Sequence, residues 1–156
     1  NYAWVYRLKA DLPHLGIVIN GGIQTLQECQ EHLRRVDGVM MGRAAYQNPW
    51  LLAGVDHELF GMDNPALSRE HVIEALLPYV EHQLSRGVHL NHITRHILGL
   101  YQGVPGARKF RRHLSQNAYR QTSGVEVLIE ATRLVQDAAW RNSRADSDLP
   151  GIRGGL

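Results

Sequence analysis

Apolar and polar positions in the first 60 residues switch repeatedly between helical and strand spacing. Apolar residues recur at helical spacing from Tyr2 to Ala10, and a β-branched run at residues 16–19 stops at a glycine pair. Thr25 and Glu28 form a capping box ahead of the next apolar stripe. The pattern predicts a helix over residues 2–10, a strand over 16–19, a helix over 25–35 and a strand over 37–41.

This helix–strand–helix–strand order with short turns is typical of consecutive βα units around a parallel sheet. The chain starts at Asn1, without a methionine, as a fragment would. Two strands cannot build such a sheet, because a (β/α)8 barrel takes on the order of 250 residues. We therefore expect an α/β fold in which residues 1–60 form the last two βα units of a TIM barrel.

The pattern from residue 61 onward is helical throughout. A linker over residues 61–65 precedes Ser68, which is placed to cap a long amphipathic helix that Gly87 would end. The predicted helices cover residues 68–86, 91–101, 107–120 and 125–140. We expect a small all-α helical domain over residues 61–141 and a disordered tail over 142–156.

The composition, 44% apolar and 21% charged, is that of a globular domain and excludes a disordered chain. The net charge is only +2, but residues 1–60 carry 5 basic and 6 acidic groups whereas residues 61–141 carry 10 and 7. A single cysteine excludes an internal disulfide framework, and no apolar stretch reaches the roughly 18 residues of a membrane span. We expect a cytoplasmic protein. If it binds a polyanion such as a nucleic acid, the helical part should form the binding surface, because that part carries the excess of basic groups.

Glycine-rich loops follow both predicted strands. Asn20, Gly21 and Gly22 end the first strand, and Gly42 and Arg43 end the second. Glycines let a ligand oxygen approach the backbone N–H groups, and a guanidinium suits bidentate phosphate binding. The helix starts that follow would add free donors. The loops together thus predict a phosphate site, as after the last two strands of TIM barrels. Either loop alone would be better interpreted as a tight turn or a surface cation.

A basic cluster follows the Gly-Pro turn near residue 105. Arg108, Arg111 and Arg112 lie at helical spacing on one face, while Phe110 and Leu114 lie on another. Such a stripe can follow a nucleic-acid backbone.

The alternative for this cluster is an ordinary solvated face, or one paired with acidic groups such as Glu126 or Asp137. Three further residues remain open as RNA contacts, although aromatic residues at helical spacing are more often core: Arg95, Tyr101 and Tyr119.

The remaining chemistry-bearing residues favour structural roles. His92 and His96 have a spacing that could bind a metal, but there is no HExxH glutamate or third ligand, so we predict no metal site. Cys29 lies near the apolar face of its helix, where a buried small side chain is the default.

Three segments carry a family resemblance: INGGIQTL at 19–26, DGVMMGRAAYQNPWLL at 37–52 and HILGLYQGVPGARKFRRHLSQNA at 96–118. On these segments the chain resembles the C-terminal part of the bacterial A-type tRNA-dihydrouridine synthases. The resemblance implies an FMN-dependent TIM barrel, followed by a helical domain, that uses NADPH to reduce uridine in the D-loop of tRNA. It implies FMN-phosphate binding by Asn20, Gly21, Gly22, Gly42 and Arg43, and tRNA binding by two arginines, Arg108 and Arg111.

One departure from the family pattern concerns the catalytic cysteine, which the resemblance places in the upstream half of the barrel. Cys29 does not match that motif. We therefore expect this chain to be inactive alone, and we infer no obligate protein partner and no membrane contact. Two alternatives stay open: a different FMN barrel with a small substrate, and an RNA-binding helical module without flavin.

Overall fold

The computed structural model describes residues 1–63 and 68–147. The chain divides into two compact units, Asn1–Leu67 and Ser68–Leu156. The first contains a small parallel sheet, and the described part of the second consists of helices joined by turns.

The first unit follows the predicted order of elements. Its members are α1 (Tyr2–Asp11), β1 (Val18–Asn20), α2 (Leu26–Leu33), β2 (Gly38–Met40), α3 (Arg43–Gln47), a 3₁₀ helix (Pro49–Gly54) and α4 (Val55–Phe60). The predicted capping box is confirmed: the Thr25 side chain accepts from the Glu28 N–H, and the Glu28 carboxylate accepts from the Thr25 N–H. This closes the first turn of α2 immediately after the loop that follows β1.

β1 and β2 pair in parallel, with Val18 opposite Gly38, Ile19 opposite Val39 and Asn20 opposite Met40. Asp37 holds the amino end of the pair, because its carboxylate accepts from the Ile17 N–H at 2.8 Å and from the Lys9 ammonium at 2.8 Å. The backbone N–H of Ile17 first, and Lys9 second, hold the pKa of Asp37 below its usual range.

The core of the first unit is small. Ile19, Ile23, Cys29 and Val36 are buried together and form its centre. Many other large apolar side chains of the unit are exposed, including Val18 at 63%, and with it most of one face of β1. Strands of a parallel sheet are usually buried on both faces, so this sheet is only half covered within the described residues.

The second unit consists of α5 (Arg69–Ser85), α6 (Leu90–Thr94), α7 (Ala107–Asn117) and α8 (Val125–Ser147). Ser68 caps α5 through the N–H of His71, as its position predicts. The core is closed by side chains from each element and the turns between them: Val80, Leu90, Leu100, Tyr101, Phe110, Leu114, Leu128 and Ala131. The Tyr101 and Phe110 rings pack with their centroids 4.8 Å apart.

Two predictions about this unit are wrong in part. The helix expected over residues 91–101 ends at Thr94, and successive three-residue turns follow, with the N–H of Leu100 donating to Ile97 and that of Val104 to Tyr101. The tail expected to be disordered from residue 142 is helical as far as Ser147; residues 148–156 lie outside those described.

Gly106 determines how closely α7 approaches α8. It has a φ of +91°, and a Cβ at this position would lie 2.9 Å from both the Val135 Cα and the Ala138 Cβ. The absence of a side chain therefore lets the start of α7 meet the backbone of α8.

Candidate functional site

The two glycine loops meet at one edge of the sheet. Because β1 and β2 are parallel and Asn20 is opposite Met40, both carboxyl ends face the same side and lie on adjacent strands. The five residues predicted to bind phosphate are all exposed there: Asn20, Gly21, Gly22, Gly42 and Arg43. The geometry therefore brings the five together, which the sequence alone only suggested.

The three glycines of this edge are not equivalent. Gly21 and Gly22 have φ values of +131° and +76°, which residues with a Cβ rarely adopt. Gly42 has a φ of −100°, and a Cβ there would meet only the Met40 side chain at 3.5 Å, an ordinary contact. The first loop thus requires glycine for its conformation, whereas at Gly42 the absence of a side chain serves mainly to keep the backbone open.

The helix starts beside the loops differ as well. The capping box of α2 occupies the N–H groups of Thr25 and Glu28, and the Glu28 carboxylate also accepts from the Gln24 N–H at 2.6 Å. The N–H of Gln24 first, and that of Thr25 second, hold the pKa of Glu28 below its ordinary value, so this carboxylate stays ionised. The expectation that the α2 start offers free donors is therefore met only in part, because the Thr25 hydroxyl uses the Glu28 N–H. α3 starts at Gly42 without a side-chain cap.

Arg43 is the cation of this edge. It is exposed, and it makes no ion pair or hydrogen bond from its side chain with any of the described residues. An exposed guanidinium with five free donors can bind a phosphate in a bidentate manner.

One contact and one unpartnered atom near this edge were not predicted from the sequence. The Tyr2 hydroxyl donates to the Gly21 carbonyl, which ties α1 to the loop after β1. Asn48, which follows α3, has a buried Oδ1 that finds no partner among the described residues. Nothing in the sequence indicated either feature: Tyr2 is one of several aromatic residues in the first helix, and Asn48 is followed by a proline.

The second candidate surface is the basic face of α7, formed by Arg108, Arg111 and Arg112. All three are exposed, while Phe110 and Leu114, on the opposite face, are buried. The predicted division of this helix into a basic and an apolar face is confirmed.

The basic face is not neutralised within the described part of the chain. None of its three guanidinium groups forms an ion pair there. Glu126, weighed as a partner from the sequence, instead accepts from the Gly124 N–H at 2.8 Å. Beside this face, Lys109, Arg112, His113 and Gln116 line a cleft of about 310 Å³ together with Leu134 of α8.

The three residues left open as RNA contacts separate clearly. Tyr101 is only 1% exposed, and its hydroxyl donates to Glu70 at 3.0 Å, so it belongs to the core. Burial first, and the nearby Glu70 charge second, raise the pKa of Tyr101 above its usual value. Tyr119 and Arg95 are exposed and line one shallow cleft together with Ser115.

The histidines and the cysteine form no catalytic cluster. His92 lies in α6, whereas His96 lies in the turns beyond it and is bonded by the Arg95 Nε at 3.1 Å. Among the described residues no three His, Cys, Asp or Glu side chains are grouped as metal ligands. Cys29 is buried, and desolvation is the main cause that raises the pKa of its thiol. No described helix is long and apolar enough to cross a membrane.

The region of the chain that matches known proteins includes both candidate surfaces. A family model described as dihydrouridine synthase (Dus) matches residues 1–138. The chain is 54% identical over 142 residues to the tRNA-dihydrouridine(20/20a) synthase of Yersinia pestis, a match that covers 91% of this chain and 41% of that protein. The proteins of the same name from Salmonella typhimurium and Vibrio cholerae are 55% and 51% identical over 88% and 84% of the chain.

The chain thus spans about 41% of the length of the curated relatives it matches. The family match runs without interruption through the strand-end loops and the basic face of α7. On this evidence the chain belongs to the dihydrouridine synthase family.

Proposed function

We propose that the full-length protein reduces uridine to 5,6-dihydrouridine in the D-loop of tRNA, using FMN and NADPH. The single observation that carries this proposal is the family match over residues 1–138, since it includes both candidate surfaces. The relatives' name, tRNA-dihydrouridine(20/20a) synthase, supports tRNA as the substrate and the region of positions 20 and 20a as the target. The cytoplasm, where tRNA is modified, is the proposed location.

Residues 1–60 are proposed to be the last two βα units of the flavin-binding TIM barrel. The parallel pairing of β1 and β2 supports this, because parallel neighbours joined through a helix are the repeating unit of that barrel. The sheet is also covered on only one face here, as expected if further elements of a barrel pack on its exposed face in the full-length protein.

The strand-end loops fit the phosphate of FMN. Gly21 and Gly22 leave the backbone open to a ligand oxygen, the start of α3 has no side-chain cap, and the Arg43 guanidinium has no partner among the described residues. These groups all lie at one edge of the sheet, so we assign phosphate binding to Asn20, Gly21, Gly22, Gly42 and Arg43. When bound, FMN supplies reversible hydride transfer between the nicotinamide and the uracil.

The single cysteine of this chain is not placed to protonate the uracil. Cys29 is buried in the core together with Ile19 of β1, so a substrate cannot reach its thiol. Its raised pKa keeps that thiol neutral. We therefore assign binding and orientation to this chain and expect the catalytic cysteine elsewhere in the full-length protein. The 156-residue chain alone should form no dihydrouridine with FMN and NADPH.

The helical domain, proposed over residues 61–141, is assigned to tRNA binding. Arg108 and Arg111 lie one turn apart on the basic face of α7, where each can neutralise a backbone phosphate. Loss of either should weaken binding and reduce its salt dependence.

The experiment that tests these assignments compares three variants of the full-length protein. Arg43→Ala should lower the amount of FMN that copurifies, measured by visible absorbance, while Arg111→Ala should retain FMN and weaken tRNA binding. Arg34→Ala, an exposed arginine at the end of α2, serves as the matched control and should leave both unchanged.

The outcomes separate the proposal from its alternatives. Flavin with no dihydrouridine formation on unmodified tRNA would indicate an FMN barrel with a different substrate. A colourless protein that binds tRNA would indicate an RNA-binding helical module. If Arg43→Ala and Arg34→Ala retain FMN equally, the phosphate assignment is wrong.

A further inference from the structure

We propose that Tyr119 is a stacking platform for an unpaired base of the bound tRNA, beside the phosphates held by the basic face of α7. The inference rests on the proposed function, and it adds a contact to a base where the arginines contact only the backbone. It comes from the charge, the exposure and the position of Tyr119.

The charge around Tyr119 is of one sign over a long stretch. Between Glu81 and Glu126 the chain has no Asp or Glu. The same stretch contains seven basic residues: Arg86, Arg95, Arg108, Lys109, Arg111, Arg112 and Arg120. A net +2 chain therefore concentrates its positive charge on the part of the helical unit that includes Tyr119, and this charge complements a polyanion.

Tyr119 continues the line of the basic face. Arg111 and Ser115 are four residues apart on α7, so their side chains lie on the same face one turn from each other. Ser115 lines a shallow cleft together with Tyr119 and with Arg95 from the turn after α6. A strand whose phosphates follow Arg108 and Arg111 along α7 would thus reach Tyr119 next.

The exposure of Tyr119 is the observation that points to a ligand. Its side chain is 69% exposed, and it makes no hydrogen bond or ring contact with the described residues. By contrast, the Tyr101 ring in the same unit packs against Phe110, and its hydroxyl donates to Glu70. An open aromatic ring that lines a cleft with Arg95 is an arrangement on which unpaired bases stack, and the loops of tRNA offer such bases.

The test is equilibrium binding of unmodified tRNA transcript to the full-length protein, measured over a range of salt concentrations. Tyr119→Ala should weaken binding about tenfold at every salt concentration, within the range that alanine substitution produces at stacking aromatics. Because no charge is lost, the salt slope should stay the same, whereas Arg111→Ala should reduce the slope by about one. Tyr119→Phe and Tyr119→Trp keep the ring and should bind like the unchanged protein.

Tyr79 provides the matched control. It is 52% exposed on α5 of the same unit and lies outside the acid-free stretch, so Tyr79→Ala should bind normally. Unchanged affinity of Tyr119→Ala overturns the proposal, as does an equal loss in Tyr119→Phe, which would indicate a hydroxyl contact. If the wild-type protein does not bind tRNA at all, the proposed function fails as well. If the wild-type protein binds tRNA with a steep salt dependence and Tyr119→Ala binds with the same affinity, only the stacking proposal is overturned.

Discussion

The two units of this chain differ in how far their folding is complete within the described residues. Of the sixteen large apolar side chains that are exposed, twelve lie in the first unit and four in the second. Of the nine largest fully buried side chains, only Ile19 belongs to the first unit. The helical unit closes its own core, whereas the sheet unit presents open faces on which further structure can pack.

This difference extends to the two candidate surfaces. The strand-end loops depend on backbone conformation and on the pairing of two short strands, so their geometry is only as stable as the sheet. The basic face of α7 depends on side chains of a helix that is anchored by Phe110 and Leu114 in a closed core. We expect the helical unit to keep its surface in this chain alone, and the loops to be well ordered only in the full-length protein.

The largest expected effect contrasts a buried core residue of the helical unit with an exposed strand residue of the sheet unit. Phe110→Ala removes a ring that is 0% exposed and should lower the free energy of unfolding of the helical unit by about 3–5 kcal/mol. Val18→Ala, at the start of β1 and 63% exposed, should change stability by less than about 0.5 kcal/mol in this chain. Urea unfolding followed by circular dichroism measures both, and equal losses would contradict the comparison. In the full-length protein Val18→Ala should cost more.

A smaller effect concerns the contact between α7 and α8. Gly106→Ala adds a Cβ 2.9 Å from the α8 backbone at a positive φ and should destabilise the unit by about 2–4 kcal/mol. Gly103→Ala is the control, because Gly103 has a φ of +80° with nothing within 4 Å; it should cost about 1 kcal/mol from backbone strain alone. The difference between the two midpoints in urea measures the close approach, and identical midpoints would show that the helices can separate freely.

The smallest effects appear only at extreme pH and have opposite directions in the two units. Asp37 has a lowered pKa in the fold, so its contribution is present above its unfolded pKa of about 3.9 and is lost as pH falls below that value. Tyr101 has a raised pKa, so its contribution is present below about pH 10 and is lost as pH rises further. Amide exchange should therefore increase first at Ile17 in acid and around Tyr101 in alkali.

The controls for this pH prediction are single substitutions. Asp37→Asn should remove the acid sensitivity of the sheet, and Tyr101→Phe should remove the alkaline sensitivity of the helical unit. A chain in which both units lose protection at the same pH would contradict the assignment of these transitions to separate groups.

Local sequence signals predicted the elements well where one short-range interaction decides the structure. The capping box of Thr25 and Glu28 and the two faces of α7 are decided by residues three and four positions apart, and both are confirmed. The same reasoning failed over residues 95–101, where helical spacing continues but the chain runs in tight turns. There the Leu100 carbonyl accepts from the Arg69 Nε at 2.8 Å, a contact 31 residues away that no local pattern reveals.

The candidate site was predictable in its residues and not in its arrangement. Glycines and an arginine after two strands indicated an anion site, but the adjacency of the loops depends on the register that puts Asn20 opposite Met40. The occupation of the Thr25 and Glu28 N–H groups could have been deduced, since the capping box that predicts α2 consists of these two bonds. The bond from Tyr2 to Gly21 joins residues 19 positions apart and had no sequence signal.

That bond determines which polar groups the first loop offers. The carbonyl of Gly21 and the N–H of Gly22 belong to one trans peptide plane, in which they point in opposite directions. When the Tyr2 hydroxyl engages the carbonyl, the plane cannot rotate freely and the N–H of Gly22 is directed away from α1. A single phenol on the preceding helix therefore sets the polarity of a glycine loop that could otherwise flip to present an acceptor, and so it favours anions over cations at this edge of the sheet.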